Sequence, residues 1–401
     1  MFALYLHIPF CRARCSYCDF NTYTTIGDLQ APYVAALAQE IRLVGAAGDA
    51  PAVGTIFFGG GTPSLLTPSQ VADILAAARE SFAIADDAEI TMEANPGTVD
   101  KTWLAAVRVL GVNRLSFGVQ SALPGELALL GREHDFAAAV DAVSAARAAG
   151  FDNLNLDLIY GLPGQSVADW RRTLDAALPV GVEHISLYCL TIEPCTPMQR
   201  WLHSGAIQPP DPDTAADQYE VACEALAAAG YEHYEISNWA RSGRECRHNV
   251  VYWRNEPYLG LGAGAHGSAA GYRYQVVRQP RAYVRRITNF ELRMTNEEAI
   301  TDPLTSDRLT TDWPLSPAVA AHHAVDDAEA MSDTAITQLR LLNEGLDLRG
   351  FAARFGRSFD DVYGDTVRDL LALELLRRDD DHLLLTDKGR FLSNQVFYRF
   401  V

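Results

Sequence analysis

Lysine is almost absent from this sequence of 401 residues, in which only Lys101 and Lys388 occur. The basic residues are therefore nearly all arginine, and Asp and Glu outnumber Lys and Arg by 51 to 33, for a formal net charge of −18. Such an excess of negative charge repels the phosphates of nucleic acids and of anionic lipids. The composition argues against either of them as the main partner.

Long apolar runs are lacking too. Arg, Glu or Asp interrupts every apolar stretch before the roughly 20 residues that a membrane-spanning helix requires. The N-terminal residues show no charged leader followed by an apolar core, so we expect no secretory signal. The seven cysteines are odd in number, and three of them are crowded near the N-terminus, which does not fit a secreted disulfide framework. We expect a cytoplasmic protein that is not an integral membrane protein.

The first half of the chain alternates short β-like runs with helical patterns. The strand candidates are Leu4–Ile8, Thr55–Phe58, Glu89–Glu93, Arg114–Val119, Leu154–Ile159 and Ile185–Leu190. The helix candidates between them are Leu29–Val44, Ser69–Ser81, Lys101–Leu110, Phe136–Ala149 and Val167–Leu178. This alternation is typical of βα units with a parallel sheet. Because six units are too few for a closed eight-fold barrel, we predict an α/β fold with a partial (β/α)6 barrel.

The chain divides into four predicted regions. The barrel covers residues 1–200, an extension that is irregular over 231–271 covers 201–294, and a polar linker covers 295–330. Residues 331–401 read as three helices and a hairpin, which is a winged-helix pattern. That last region contains 10 Arg and Lys against 12 Asp and Glu, so it lacks the basic surface of a DNA-binding module. We interpret it as a structural or docking module.

Three cysteines, Cys11, Cys15 and Cys18, form a CxxxCxxC motif in the loop that follows the first strand. Three thiolates in a tight loop can bind three corners of a [4Fe-4S] cluster, which leaves the fourth iron open to an exchangeable ligand. A structural zinc site would use four ligands, usually in paired sets, and only His7 lies nearby. Catalytic thiol chemistry does not require three clustered cysteines, and buried core cysteines rarely occur beside arginines. The motif therefore favours the cluster.

The motif, with Tyr17 before its last cysteine, resembles that of the radical S-adenosylmethionine superfamily, which uses an incomplete (β/α) barrel. In that family the open iron binds the amino and carboxylate groups of S-adenosylmethionine. The resemblance thus implies both a [4Fe-4S] cluster and S-adenosylmethionine as cofactors.

Polar residues follow several strands at the ends that would meet at the mouth of a barrel. A glycine run, Gly59–Gly61, follows the second strand and permits close backbone approach. Glu93, Gln120 and Asp157 end three later strands and offer acceptors for ribose hydroxyls and an amino group. A single carboxylate at such a position is often only a helix cap or a salt-bridge partner, but three in succession fit a nucleoside cofactor.

These stretches resemble the branch that includes oxygen-independent coproporphyrinogen III dehydrogenase and the HemW-type heme chaperones, over most of residues 1–290. By that resemblance Arg132 pairs with the methionine carboxylate. The full set of implied contacts to S-adenosylmethionine is Tyr5, Tyr17, Gly60, Gly61, Thr62, Glu93, Gln120, Arg132, Asp157 and Thr191. The resemblance leaves us with no catalytic residue to assign.

Two features distinguish members of this branch. The dehydrogenase pattern has a fourth cysteine two residues after the third, where this chain has Phe20. The stretch His248–Trp253 matches the HNxxYW motif of the HemW-type group. Imidazole is a good ligand for heme iron, and aromatic rings can stack on a porphyrin. The candidates for heme contact are therefore His248, Tyr252 and Trp253, with Cys246 and His266 as weaker ones.

Spacing alone favours a structural role, in which His248 bonds backbone groups and the two aromatic residues fill core, and it is the resemblance that favours heme contact. Where the family has alanine, histidine and serine, this chain reads Ala265-His266-Gly267, which removes the hydroxyl.

The leading hypothesis is a heme chaperone that binds heme and transfers it to an acceptor protein, with a homodimer expected from the resemblance. The alternatives are an oxygen-independent coproporphyrinogen III dehydrogenase and another radical enzyme that acts on a tetrapyrrole. These alternatives share every cluster residue, so the cysteine motif does not separate them.

Overall fold

A computed structural model describes residues 1–295 and 312–401 of the chain. The described chain divides into two compact units, each built from three segments. The first unit comprises Met1–Asp157, Thr191–Pro209 and Pro257–Ala324, and the second comprises Leu158–Leu190, Pro210–Glu256 and Val325–Val401.

Parallel strands form the centre of the first unit. They are β1 (Phe2–Ile8), β2 (Ala52–Gly60), β3 (Ala83–Ala94), β4 (Arg114–Gln120) and β5 (Leu154–Tyr160), of which residues up to Asp157 belong to this unit. β1, β2, β3 and β4 pair in this order, each parallel to the next. The helices between them are α1 (Gln30–Ala47), α2 (Pro68–Ser81), α3 (Lys101–Val109), α4 (Pro124–Leu130) and α5 (Phe136–Ala148).

The strands are buried on both faces, as the apolar runs predict. In β1, Leu4, Leu6 and Ile8 on one face and Ala3 and His7 on the other are buried. Parallel strands covered on both sides lose the alternation of apolar and polar residues and become almost continuously apolar. The predicted parallel α/β sheet is therefore confirmed.

The helices begin where side chains satisfy their first backbone N–H groups. At the start of α2 the Thr67 hydroxyl accepts the Gln70 N–H at 3.3 Å, and the Gln70 side chain accepts the Thr67 N–H at 2.9 Å. Asp100 and Asp135 cap α3 and α5 in the same way. Such caps define helix ends that the sequence pattern gives only approximately.

Four further strands complete the sheet of the first unit. β9 (Tyr258–Leu261) pairs parallel with β1, and β10 (His266–Ala269), β11 (Tyr272–Val276) and β12 (Val319–Ala324) follow in antiparallel order. Two more helices are α7 (Pro197–His203) and α10 (Pro280–Thr295). The stretch predicted to be irregular therefore contains several strands. Strands of four or five residues with glycines show too little periodicity to be recognised in the sequence.

The second unit begins with β6 (His184–Cys189), β7 (Glu232–Glu235) and β8 (Asn238–Ala240), in which β8 pairs antiparallel with both of the others. The helices α6 (Val167–Ala177), α8 (Pro212–Ala228) and α9 (Arg247–Trp253) belong to the same unit. β6 corresponds to the sixth predicted strand.

The C-terminal part of the second unit has its own apolar core, formed by Leu339, Phe351, Phe359, Leu370 and Phe400 among others. Three helices precede the hairpin, as the winged-helix pattern predicts. The elements are α11 (Asp327–Gln338), β13 (Leu346–Asp347), α12 (Leu348–Phe355), α13 (Phe359–Ala372), β14 (Leu376–Asp379), β15 (His382–Leu385), α14 (Asp387–Phe391) and α15 (Ser393–Phe397).

The predicted linker of residues 295–330 lies partly outside the described residues, since 296–311 are not described. Its later part contains β12 and the start of α11. Short 3-10 turns complete the described structure at Gly27–Leu29, Pro63–Leu65, Pro96–Thr98, Leu178–Val180 and Tyr398–Phe400. Within the described residues we find no helix that is both long and apolar enough to span a membrane.

Candidate functional site

The three cysteines of the CxxxCxxC motif lie half-buried in the loop that leaves the carboxyl end of β1. Burial, together with the charges of Cys15 and Cys11, raises the pKa of the Cys18 thiol to about 11. Burial also raises the pKa of Cys11, with Cys15 adding to the effect. The thiols are therefore close enough to oppose one another's ionisation. A cationic metal centre would reverse this, because metal binding deprotonates thiols.

The donor set of this loop fits a cluster. A zinc ion requires four ligands around one point, and among the residues described here no three or more His, Cys, Asp or Glu side chains converge on one ion. That result concerns a single ion, whereas a cubane binds each thiolate at a different iron. Three half-buried thiols within eight residues suit three corners of such a cubane.

The end of α4 holds the cysteine loop in place. The Ser16 hydroxyl donates to the Leu129 carbonyl at 2.6 Å, and the Ser16 N–H donates to the Leu130 carbonyl at 3.1 Å. Gly131 ends this helix with a φ of 70°, in the left-handed region that glycine adopts without strain. This turn directs Arg132 toward the cysteines.

Arg132 contacts both the cysteine loop and two neighbouring strand ends. Its Nη1 donates to Cys15 Sγ at 3.4 Å, and its Nη2 donates to Asn95 Oδ1 and to the Gly118 carbonyl. Its Nε is buried and has no hydrogen-bond partner. A buried donor left unpaired costs free energy unless a ligand satisfies it. The guanidinium therefore fits an additional anionic group such as a carboxylate.

Glu93 lies at the end of β3, where its Oε2 accepts the Gly60 N–H at 3.0 Å. Its pKa is raised to about 8 because burial and the charge of Asp157 raise it by more than the Gly60 hydrogen bond lowers it. The carboxyl group is therefore largely protonated at neutral pH. A cation placed beside it would favour the ionised form.

Asp157 is fixed by one residue of β4, Ser116, and by one residue of its own strand β5, Asn155. Ser116 Oγ donates to its Oδ2 at 2.9 Å, and Asn155 Nδ2 donates to its Oδ1 at 2.8 Å. Asn155 Nδ2 also donates to Ser116 Oγ at 2.7 Å. A carboxylate oxygen can accept more than one hydrogen bond, so these contacts hold the Asp157 side chain at the end of the sheet without requiring it to be a donor.

The end of β4 brings two more residues to this group. Gln120 is buried and has a φ of 73°, an unfavourable left-handed conformation for a residue with a side chain. A Cβ atom on Gly118 would lie 2.9 Å from Gln120 Nε2 and 3.2 Å from an Arg132 nitrogen. Only glycine therefore fits at position 118 without displacing these side chains.

Tyr5 and Thr62 lie beside the cysteine loop from the β1 and β2 sides. The Thr62 hydroxyl donates to Cys11 Sγ at 3.5 Å. His7 Nε2 donates to the Asn21 carbonyl at 3.0 Å, so its Nδ1 accepts from the Tyr5 hydroxyl at 3.1 Å. Burial lowers the pKa of His7 to about 4, which keeps the ring neutral.

The glycine run has a structural cause as well. A Cβ on Gly60 would lie 2.4 Å from the His7 ring, and one on Gly61 would lie 2.6 Å from the Phe10 carbonyl oxygen. The run therefore allows the cysteine loop itself to approach β2, in addition to any ligand.

The structure collects most of the expected S-adenosylmethionine contacts in the first unit. Hydrogen bonds or electrostatic interactions link most of them to one another or to the cysteine loop, namely Tyr5, Gly60, Thr62, Glu93, Arg132 and Asp157. Thr191, in contrast, is exposed in the segment after β6. Burial raises the pKa of Tyr17, which lies within the electrostatic reach of Arg132. Sequence reasoning did not assign the supporting residues His7, Asn95, Ser116, Gly118 and Asn155. For His7, Ser116 and Asn155 the signal was a buried polar residue in an otherwise apolar strand.

The HNxxYW motif forms α9 in the second unit. His248 is 1% exposed, and its Nε2 lies 2.8 Å from the Tyr252 hydroxyl. The Arg340 guanidinium lies 4.2 Å from the centre of the Trp253 ring and bonds Glu235 at 3.0 Å. The imidazole is thus covered and already hydrogen-bonded, and a heme iron would have to displace Tyr252 to reach it.

The two weaker candidates for heme contact lie in different environments. Cys246 is 0% exposed, and its N–H donates to the Tyr234 hydroxyl at 3.3 Å, which fits a packing role. His266 is exposed at the start of β10, in the same unit as the cysteine loop.

Known proteins resemble this chain over its whole length. The Radical SAM superfamily profile matches residues 5–177, and the HemN C-terminal domain profile matches residues 325–392. The heme chaperone HemW of Mycobacterium tuberculosis is 38% identical over 398 residues, which are 98% of this chain and 93% of that protein. The HemW of Bacillus subtilis is 34% identical over 404 residues, covering 100% and 99% of the two chains.

A solved structure, the coproporphyrinogen III oxidase HemN from Escherichia coli, matches with a TM-score of 0.80 and 25% identity, over 100% of this chain and 89% of that one. This match agrees with the radical SAM fold expected from the cysteine motif. Membership of that superfamily implies a [4Fe-4S] cluster and S-adenosylmethionine. The extent and the identity of the HemW matches show that the chain belongs to the HemW heme chaperone family of radical SAM proteins.

Proposed function

We propose that this protein binds heme as cargo and transfers it to an acceptor protein, and that its cluster is bound by Cys11, Cys15 and Cys18. The observation that carries the proposal is similarity to HemW chaperones over nearly the entire chain. Phe20, in place of the fourth cysteine of the dehydrogenase pattern, supports the same choice. The reduced thiols of the motif agree with a cytoplasmic location.

Arg132 is proposed to bind the carboxylate of S-adenosylmethionine. The buried Nε supports this role, because it has no hydrogen-bond partner in the protein. Gly60 and Glu93 would accept the amino group, and Asp157 the ribose hydroxyls. When bound, the cluster and S-adenosylmethionine supply one-electron reductive chemistry that side chains lack.

Affinity for S-adenosylmethionine is expected to rise with pH and to level off above pH ~8. The pKa of Glu93 is about 8 in the free site, and a cationic ligand lowers that pKa because it favours the carboxylate. Between the lowered pKa of Glu93 in the bound state and its pKa of about 8 in the free site, S-adenosylmethionine therefore binds more tightly as the pH rises. Titrations from pH 6 to 9 would measure it, with Glu93→Gln as the control that retains only the ligand's own titration. An equal slope in both proteins would contradict the role of Glu93.

Gly61→Ala is expected to destabilise the protein by about 1–3 kcal/mol, the usual cost of overpacking. The new methyl group would meet the carbonyl oxygens of Phe10 at 2.6 Å and Ile8 at 2.8 Å, and backbone atoms cannot rotate away. Urea unfolding of the full chain, followed by circular dichroism, would measure the change. Gly125→Ala, with nothing within 4 Å of the added atom, is the matched control and should be neutral or slightly stabilising.

The function is tested by adding heme to anaerobically prepared protein with its cluster reconstituted, and then adding an apo-hemoprotein as acceptor. We expect one stable heme per chain and its transfer to the acceptor. Decarboxylation of coproporphyrinogen III, assayed in the same preparation, should be absent.

The coproporphyrinogen dehydrogenase hypothesis is the second candidate, supported by the match to HemN over the whole chain. Turnover of coproporphyrinogen III without stable heme binding would favour it over the chaperone.

A further inference from the structure

His266 lies at the sheet edge from which the cysteine loop leaves. β9 runs parallel to β1, with Leu261 paired to Leu6, so both strands end at the same edge. β10 is antiparallel to β9, with Ser268 opposite Tyr258, so its first residue, His266, returns to that edge. A positive charge on His266 would lower the pKa of His7, so the two rings lie within electrostatic reach of each other.

Asn21, three residues after the last cysteine, joins the cysteine loop to the segments on either side of β10 and β11. Its Nδ2 donates to the Ala263 carbonyl at 2.9 Å and to the Arg278 carbonyl at 2.8 Å. A Cβ on Gly264 would lie 2.3 Å from this nitrogen, so glycine makes the approach possible. The loops that carry Phe20, His266 and Arg278 are therefore fixed to one another.

A buried carboxylate holds the same region from the other side. Glu40 of α1 is 0% exposed and accepts the Gly262 N–H at 2.8 Å and the Tyr283 hydroxyl at 2.7 Å. The segment before His266 is thus supported by hydrogen bonds at Gly262 and Ala263. Such support presents a side chain in a defined position.

Three exposed side chains on these loops, Phe20, His266 and Arg278, are called the rim below. Phe20 is 62% exposed, although a free phenyl ring is unfavourable in water. Partial burial and the charge of Arg278 lower the pKa of His266, so its imidazole is neutral. Among the described residues, no ion pair involves the Arg278 guanidinium.

We propose that the rim is a heme site in which His266 ligates the iron, Phe20 contacts the macrocycle and Arg278 pairs with a propionate. This inference rests on the proposed chaperone function and identifies its cargo site. The chemistry of the three groups matches the three parts of heme: a neutral imidazole for iron, an apolar ring for the porphyrin and a cation for a carboxylate. His248, covered and bonded to Tyr252, offers none of this access.

The test compares heme with metal-free protoporphyrin IX, since only heme can use an axial ligand. The full-length protein with its cluster reconstituted is titrated with each probe, and difference spectra are recorded against the same protein without the probe. His266→Ala should weaken heme binding by at least about tenfold, equivalent to about 1.4 kcal/mol, and shift the heme spectrum. Its affinity for metal-free protoporphyrin IX should stay within about twofold, which also shows that the variant is folded.

Arg278→Gln separates the propionate contact from the iron contact. This variant should bind both probes more weakly than the unaltered protein does. The dimethyl ester of heme should bind equally to both proteins, because the ester has no charge to pair. His322→Ala is the control variant, since His322 is another exposed histidine of the same sheet, on β12. It should bind both probes like the unaltered protein.

The possible failures are distinguishable. Unaltered protein that binds no heme would contradict the proposed function itself. Unaltered protein that binds heme, with His266→Ala equal to it in affinity and spectrum, would overturn the rim assignment alone. In that case His248→Ala, measured in parallel, should lose the heme spectrum instead.

Discussion

Replacing Cys11 by serine is expected to remove nearly all iron and acid-labile sulfide from anaerobically prepared protein, and Cys15→Ser and Cys18→Ser should have the same effect. The cluster has only these three protein thiolates, and a serine hydroxyl does not ionise to replace one. Burial raises the pKa values of Cys11 and Cys18, and a bound cluster would favour their ionisation. Without one of its thiolate ligands the cluster would be lost from the loop, so we expect a large effect on the iron and sulfide content. Iron and sulfide analysis per chain, together with the visible spectrum, measures the loss.

Cys223→Ser provides the matched control for these variants. Cys223 is a half-buried cysteine of α8 in the second unit, outside the motif. The Cys223→Ser variant should leave the iron and sulfide content unchanged. A motif variant that retains full iron and sulfide would contradict the assignment of that cysteine.

Arg132→Gln is expected to weaken binding of S-adenosylmethionine by roughly 30- to 140-fold, or about 2–3 kcal/mol, while the cluster is retained. The guanidinium connects Cys15, Asn95 and Gly118, and the shorter amide reaches neither all of these groups nor a ligand carboxylate. Equilibrium titration with S-adenosylmethionine, monitored through the cluster spectrum, gives the dissociation constant.

A surface arginine distinguishes this effect from a general loss of charge. Arg171 pairs with Asp175 on α6, with about half of each side chain exposed, and such pairs contribute little. Arg171→Gln should therefore bind S-adenosylmethionine normally. If Arg132→Gln binds equally well, the carboxylate contact lies elsewhere.

The barrel strands were predictable because parallel strands are buried on both faces and are separated by helices of adequate length. Leu4–Ile8 and Arg114–Val119 fall within β1 and β4 for this reason. The short helix α4 was not predicted, since its seven residues begin with Pro124 and Gly125 and cover less than two full helical turns of apolar pattern. β9 was missed because its parallel pairing with β1 joins residues far apart in sequence.

The residues of the site also divide into those that could be predicted from the sequence and those that could not. The cysteine motif and Arg132 could be named from spacing and family resemblance, because these features are local in sequence. The partners of Arg132 could not, since Asn95 and Gly118 meet it only after β3 and β4 are aligned. The burial of His248 depends on how α9 packs against Tyr234 and its neighbours, and no local pattern predicts that.

The central claim is that the cluster bound by this loop has an open iron that takes S-adenosylmethionine. Electron paramagnetic resonance of the reduced, reconstituted protein, recorded with and without a saturating amount of that ligand, tests it most directly. The predicted result is a cubane signal whose g-values change when the ligand is added. A signal that is identical in both samples would contradict the claim.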